Sequence, residues 1–90
     1  MISIPNEAFK DADAIKEWVF DATLWLCLDT IASFSLTVDS GLTLDSSSNT
    51  DTAVTAWFSG GTVGQKYTVI CRIVTAGGRT DDCKVTFYIT

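Results

Sequence analysis

The sequence predicts an all-β sandwich of antiparallel strands, and three observations carry that prediction. Two long stretches near the C-terminus alternate apolar and polar residues around a glycine pair, Gly77-Gly78. About six strand-like runs are separated by turn signals every 8–12 residues, the spacing of small β-sandwiches. No long helical period and no internal repeat occurs anywhere in the chain. A tyrosine, Tyr67, also stands near the start of the penultimate strand. Immunoglobulin-like domains use a tyrosine there to bond back to the preceding corner, so the sandwich is expected to be of that type. Read as an ordinary strand residue, Tyr67 would simply pack and find a partner for its hydroxyl.

Taken in order, residues 1–16 read as an N-terminal arm and residues 17–90 as the sandwich. The arm is polar and holds the only proline, Pro5; Phe9, Ala12 and Ile15 recur at a spacing of three, which permits one helical turn or an extended arm lying on the domain. Trp18-Val19-Phe20 leads into Ala22–Leu28, a β-prone run without a helix cap that Asp29-Thr30 breaks. Ile31–Val38 alternates, with Phe34, Leu36 and Val38 on one face and Ser33, Ser35 and Thr37 on the other. After the turn Asp39-Ser40-Gly41, Leu42-Thr43-Leu44 is a short strand, Asp45–Asp51 a polar loop, and Thr52–Phe58 a further strand. Lys66–Thr75 and Cys83–Ile89 then alternate as the arms of a hairpin.

Ninety residues make one domain. A domain of this size buries only about 60% of its unfolded surface, so its core is modest. Yet 47% of its residues are hydrophobic, which suggests that some apolar surface serves a partner. Six basic residues stand against 11 acidic ones, net −5, and the basic ones are scattered. Nucleic-acid binding, which needs clustered Lys and Arg, is not expected, and neither is an anionic membrane surface. No apolar run approaches the ~20 residues of a membrane span, and the first ten residues lack the pattern of a secretory signal.

Chemistry is sparse. There is no histidine, which removes the Ser-His-Asp triad, the Cys-His pair and histidine metal sites. None of the four lysines lies in an apolar stretch that would desolvate it. Asp21 and Asp29 are nameable as a carboxylate pair, but turn aspartates explain both. Asp45–Asp51 places oxygen-bearing side chains on alternate positions, as a calcium loop does. It lacks the loop's glycine at Thr50 and its bidentate glutamate at Ala56. No catalytic residue, cofactor or metal ligand is expected, and the chain reads as no enzyme.

The three cysteines, Cys27, Cys71 and Cys83, form neither an even disulfide framework nor a zinc pattern, which fits a reducing cytoplasm. Cys71 and Cys83 lie six residues either side of Gly77 and should face one another, bonded in an oxidising medium or, in the cytoplasm, as small buried hydrophobes. The aromatics point outward to function. Trp57-Phe58 and Phe87-Tyr88 are adjacent pairs whose members take opposite faces of a strand. A two-sheet sandwich hides only its inner faces. Trp25, Trp57, Phe58 and Tyr88 are therefore the candidate protein-interface residues, unless the arm covers them through Phe9 and Ile15.

The chain also resembles a family. Lys10-Asp11-Ala12-Asp13-Ala14, Asp21, Trp25-Leu26, Asp29–Ser33, Thr37-Val38 and Gly41-Leu42-Thr43 come first, followed by Ala56–Val69, Cys71-Arg72-Ile73 and Gly78-Arg79-Thr80-Asp81. Together they look like the short tailed-bacteriophage proteins of the fiber–tail adaptor type. The family commonly has proline at the position of Ala12, tryptophan at those of Ala22 and Leu36, and no cysteine at that of Cys83. The resemblance implies a virion structural protein, made and assembled in the host bacterial cytoplasm. As such it would join tail or neck components to fibers as a symmetric multimer. A capsid decoration (cement) protein is an alternative of the same class. A host-surface glycan-binding module, with Trp25 or Trp57 stacking on sugar, is one of a different class.

Overall fold

The computed structural model describes residues 7–90, with Leu24 and Trp25 described in backbone only. Seven strands and one helical turn follow in chain order: β1 (Glu7–Lys10), β2 (Lys16–Asp21), α1 (Thr23–Leu26), β3 (Ile31–Val38), β4 (Leu42–Asn49), β5 (Ala53–Gly60), β6 (Lys66–Thr75) and β7 (Thr80–Ile89). They form two sheets, one ordered β1-β7-β6-β3 and the other β2-β5-β4. β3, β6 and β7 stand where an immunoglobulin domain has C, F and G, and β2, β5 and β4 where it has B, E and D. The expected all-β sandwich is the fold observed.

The hairpin β6–β7 forms the centre of the larger sheet. Its period of two buries Tyr67, Val69, Cys71 and Ile73 from one strand and Cys83, Val85, Phe87 and Ile89 from the other. The register sets Cys71 opposite Cys83, as the position of Gly77 predicts. Burial pushes the two thiols up to about 12 and about 11, so at neutral pH they are protonated hydrophobes. Phe20, Val54, Ala56 and Phe58 meet them from the smaller sheet. Phe87 is the contact point, 5.2 Å from Phe58 and edge-on to Trp18 at 5.5 Å between ring centroids. Each such pair contributes about 0.5–1.5 kcal/mol beyond its buried area.

The expected tyrosine corner is present. The Tyr67 hydroxyl accepts a hydrogen bond from the Thr62 N–H at 3.0 Å, pinning the crossing from β5 to β6. Its ring leaves no room for a side chain at Gly41, where a Cβ would come within 2.8 Å of Cε1. At Gly61 a Cβ would press on Ile89 at 2.8 Å, and φ there is +95°, a value that favours glycine.

Two segments depart from expectation. Ala22–Leu28 does not continue as a strand. Asp21 Oδ1 accepts from both the Thr23 N–H and the Thr23 hydroxyl, turning the chain as it leaves β2. Leu26 N–H then bonds to the Ala22 carbonyl, and both residues are buried at helical i, i+4 spacing. Closing the end of the core outweighs the β-propensity of the run. The second departure is Asp45–Asn49, which is strand and not loop. β4 runs on beside β5 after a register shift between Leu44 and Ser46, because backbone pairing needs no apolar side chains. The alternating oxygens read above against a calcium loop are thus the alternation of a strand.

The arm expected over residues 1–16 falls partly on residues 1–6, which lie outside the described residues. From Glu7 the chain is extended, not helical, and β1 pairs in parallel with β7. At its end Lys10 is 2% exposed, and its Nζ donates to the Asp11 carbonyl at 2.9 Å and across the fold to the Gly60 carbonyl at 2.8 Å. Lys10→Met keeps most of the stem and removes both charge-assisted bonds. It should lower stability by roughly 2 kcal/mol in chemical denaturation; an unchanged midpoint would show that the ammonium contributes nothing.

Candidate protein interface

Strand alternation sorts the candidate residues by side. Phe58 is 1% exposed, set among the core residues beside Phe87. It is therefore removed from the candidate interface, because its strand neighbours Val54 and Ala56 turn the same face inward. Trp57 takes the outer face and is 40% exposed. It lies on the central strand of the smaller sheet, paired with Glu17 of β2 and Ser46 of β4. Val19, exposed, and Thr55 make the next row. With Asp21 and Ser48 they form an outer face that has an apolar centre among carboxylates and hydroxyls.

The larger sheet carries a second such face. Tyr88 is half-buried and lies 5.7 Å from Phe9 between ring centroids. Phe9 itself is 69% exposed, as is Ile15. β1 therefore relocates exposed apolar surface instead of hiding it. Toward β3, Ile70, Arg72, Asp82, Ser35 and Thr37 line a shallow depression, and Arg72 grips Asp82 through two bonds at 2.7 and 3.0 Å. Ile70, Val19 and Val63 are exposed apolar residues that the sequence reading did not single out. A signal was present for Ile70 and Val19, which hold the polar-side phase of alternating strands. The Trp25 side chain lies outside the described residues.

The carboxylates named from the sequence are committed to structure. Asp21 caps the turn into α1. Asp29 ties that turn to the β6–β7 loop, accepting from the Thr30 and Gly77 N–H groups at 2.9 and 3.0 Å and from Arg79 Nε at 3.3 Å. Arg79 also donates to the Leu26 carbonyl at 2.8 Å. Hydrogen bonds from the Thr75 hydroxyl first, then from Thr30, Gly77 and Arg79, hold the Asp29 carboxyl down at about 2. A Cβ at Gly77 would stand 2.7 Å from Asp29 Oδ2, which explains the glycine. The Gly-Arg-Thr-Asp segment thus has a structural role in which Arg79 locks the hairpin to the end of the sandwich.

Compared with known proteins, residues 10–88 match a family model described as podophage GP4 fiber-tail adaptor protein gp77. The match takes in β2 to β6 whole and β7 up to Tyr88, and reaches β1 only at Lys10. No curated protein matches the chain.

Trp57→Asp and Phe58→Asp should separate cleanly in thermal melts. The first should stay folded, because its side chain faces outward. The second buries an unpaired charge and should not fold. Two melts of similar midpoint would overturn the assignment of faces. Asp29→Asn should lower stability at neutral pH. The folded carboxyl lies near 2 against an ordinary 3.8, so its contribution is full above about pH 4 and disappears as pH falls toward 2. The variant's acid limb should be shallower over that window, and an unchanged limb would contradict this role.

Proposed function

Because the chain belongs to this podophage fiber–tail adaptor family, we propose that it joins tail or neck components to tail fibers by protein–protein contacts, in several symmetric copies. A phage structural adaptor is a component of the virion. The observation that carries the finer reading is that both outer faces of the sandwich hold apolar groups. Trp57 and Val19 lie on one, and Phe9, Tyr88 and Ile70 on the other. An adaptor must hold two partners at once, and two opposed apolar faces suit that task better than a single pocket. Trp57 with its polar border resembles the centre and rim of a protein interface.

Assembly in the host cytoplasm agrees with the buried, protonated state of Cys71 and Cys83. Neither nucleic acid nor membrane is a partner in this reading, since the net charge is −5 and Arg72 is engaged by Asp82.

Particles assembled without this protein should carry filled heads and tails but no fibers in negative-stain images. Supplying the wild-type chain should restore fibers, whereas folded Trp57→Asp should not be incorporated. Fibered particles in its absence, or normal incorporation of the variant, would contradict the reading.

A further inference from the structure

The sandwich is not closed along the side where β3 and β4 form the edges of the two sheets. The turn at residues 39–41 joins these strands at one end, and at the other the Ile31 N–H bonds to the Asp51 carbonyl at 2.9 Å. Phe34, Leu36 and Val38 of β3 and Leu44 of β4 pack on the core but stay half-covered. Beyond Leu44 the core side of β4 turns polar. Ser47 pairs with buried Ala56 and Asn49 with buried Val54, so both take the inner face, yet both are exposed. The apolar flank of β3 is therefore left partly bare.

The same strand has a free hydrogen-bonding edge. Asp39 N–H donates to the Thr68 carbonyl at 3.1 Å, which fixes the phase of the pairing with β6. Ser35 and Thr37 therefore bond toward β6, and the N–H and C=O groups of Phe34 and Leu36 point away from it. Among the described residues no strand lies on that side. Short length, charges and bulges protect the other three edges. β1 has four residues, β2 carries Lys16, Glu17 and Asp21, and β4 carries Asp45 at its register shift. From Ser33 to Val38, β3 has neither a charge nor a bulge. Variable-type immunoglobulin domains extend their sheet at this same edge.

The charge around the edge specifies what suits it. No Lys or Arg occurs between Lys16 and Lys66, so every charged residue in that stretch is acidic. Asp51 stands beside the first residue of β3, Asp39 follows its last, and Asp45 lies on β4; all three are exposed. A second copy would bring the same three carboxylates, and like charges oppose pairing. A basic strand would be attracted. We propose that the β3 edge accepts an extended segment of another virion protein as an added strand. That segment has apolar residues at alternate positions, which cover Phe34, Leu36 and Val38, and Lys or Arg at its flanks, which meet Asp39, Asp45 and Asp51. The proposal rests on the adaptor reading only for the source of the segment.

Peptides of about ten residues, tiling the tail and fiber proteins of the same phage, are the probe against the full chain. At least one basic peptide with alternating apolar residues should bind, several-fold more weakly at high salt. Binding should slow amide exchange at Phe34 and Leu36, which in the free chain should exchange faster than Ser35 and Thr37. Asp45→Lys and Asp51→Lys change exposed side chains, so both variants should stay folded and each should bind several-fold more weakly. Methylating the peptide nitrogens that face β3 should abolish binding, whereas methylating the alternate set should not. Absence of any binding peptide would overturn the proposal. So would binding that leaves Phe34 and Leu36 unprotected or is unaffected by both substitutions. Slow exchange at Phe34 and Leu36 in the chain alone would show the edge already occupied, and would overturn it too. If particles lacking the protein still lose their fibers, any of these results removes the added strand and leaves the adaptor reading standing.

Discussion

The corner at Gly60–Gly61, where the chain leaves the smaller sheet for the larger, is the constraint on which the rest of the fold depends. Four distant segments converge there. Lys10 arrives from the end of β1 and holds the Gly60 carbonyl. Tyr67 bonds the Thr62 amide while its ring abuts Gly41 of the β3–β4 turn. Ile89, near the end of β7, fills the space that a side chain at Gly61 would need. Hydrogen bonds from Gly64 N–H to the Ile89 carbonyl and from Thr90 N–H to the Lys10 carbonyl close the cluster. With the corner in place, the sheets are set face to face and the phase of β5 against β6 follows. That phase decides which aromatic of each adjacent pair is core and which is surface.

The opposite end of the sandwich is closed by different chemistry. Asp29 and Arg79 link the turn after α1 to the β6–β7 loop, and Leu26 caps the core between them. Gly41, Gly60, Gly61, Gly78 and Arg79, among the residues that carry the resemblance, therefore sit at these two ends. They hold the scaffold, while Trp57 and Val19, and Phe9, Tyr88 and Ile70, lie on the two outer faces between them.

Much of this was legible in the residues. The alternation of β3, β6 and β7 predicted strands and their buried faces, and the distance from each cysteine to Gly77 predicted the pairing of Cys71 with Cys83. The position of Tyr67 allowed either a corner or an ordinary strand tyrosine, and its bond from the Thr62 N–H makes it the corner. What could not be read depended on tertiary contact. The period of two separates Trp57 from Phe58 but does not say which faces inward; the packing of Phe58 on Phe87 decides it. The β-prone run after Asp21 became a helical turn because Ala22 and Leu26 close the core only at helical spacing. The serine run of β4 hid a strand, since its partner is a backbone and not an apolar face. Asp21 and Asp29, the two carboxylates nameable as a pair from the sequence, are both engaged at turns, as turn aspartates are.

The central claim is that this sandwich is a phage adaptor whose outer faces hold tail and fiber components together. Cryo-electron microscopy of the assembled particle tests it most directly. The account predicts density of this fold at the junction of tail and fibers, with Trp57 on one contact face and the Phe9–Tyr88 face on another. Density confined to the capsid shell, or a junction that leaves both faces in solvent, would contradict it.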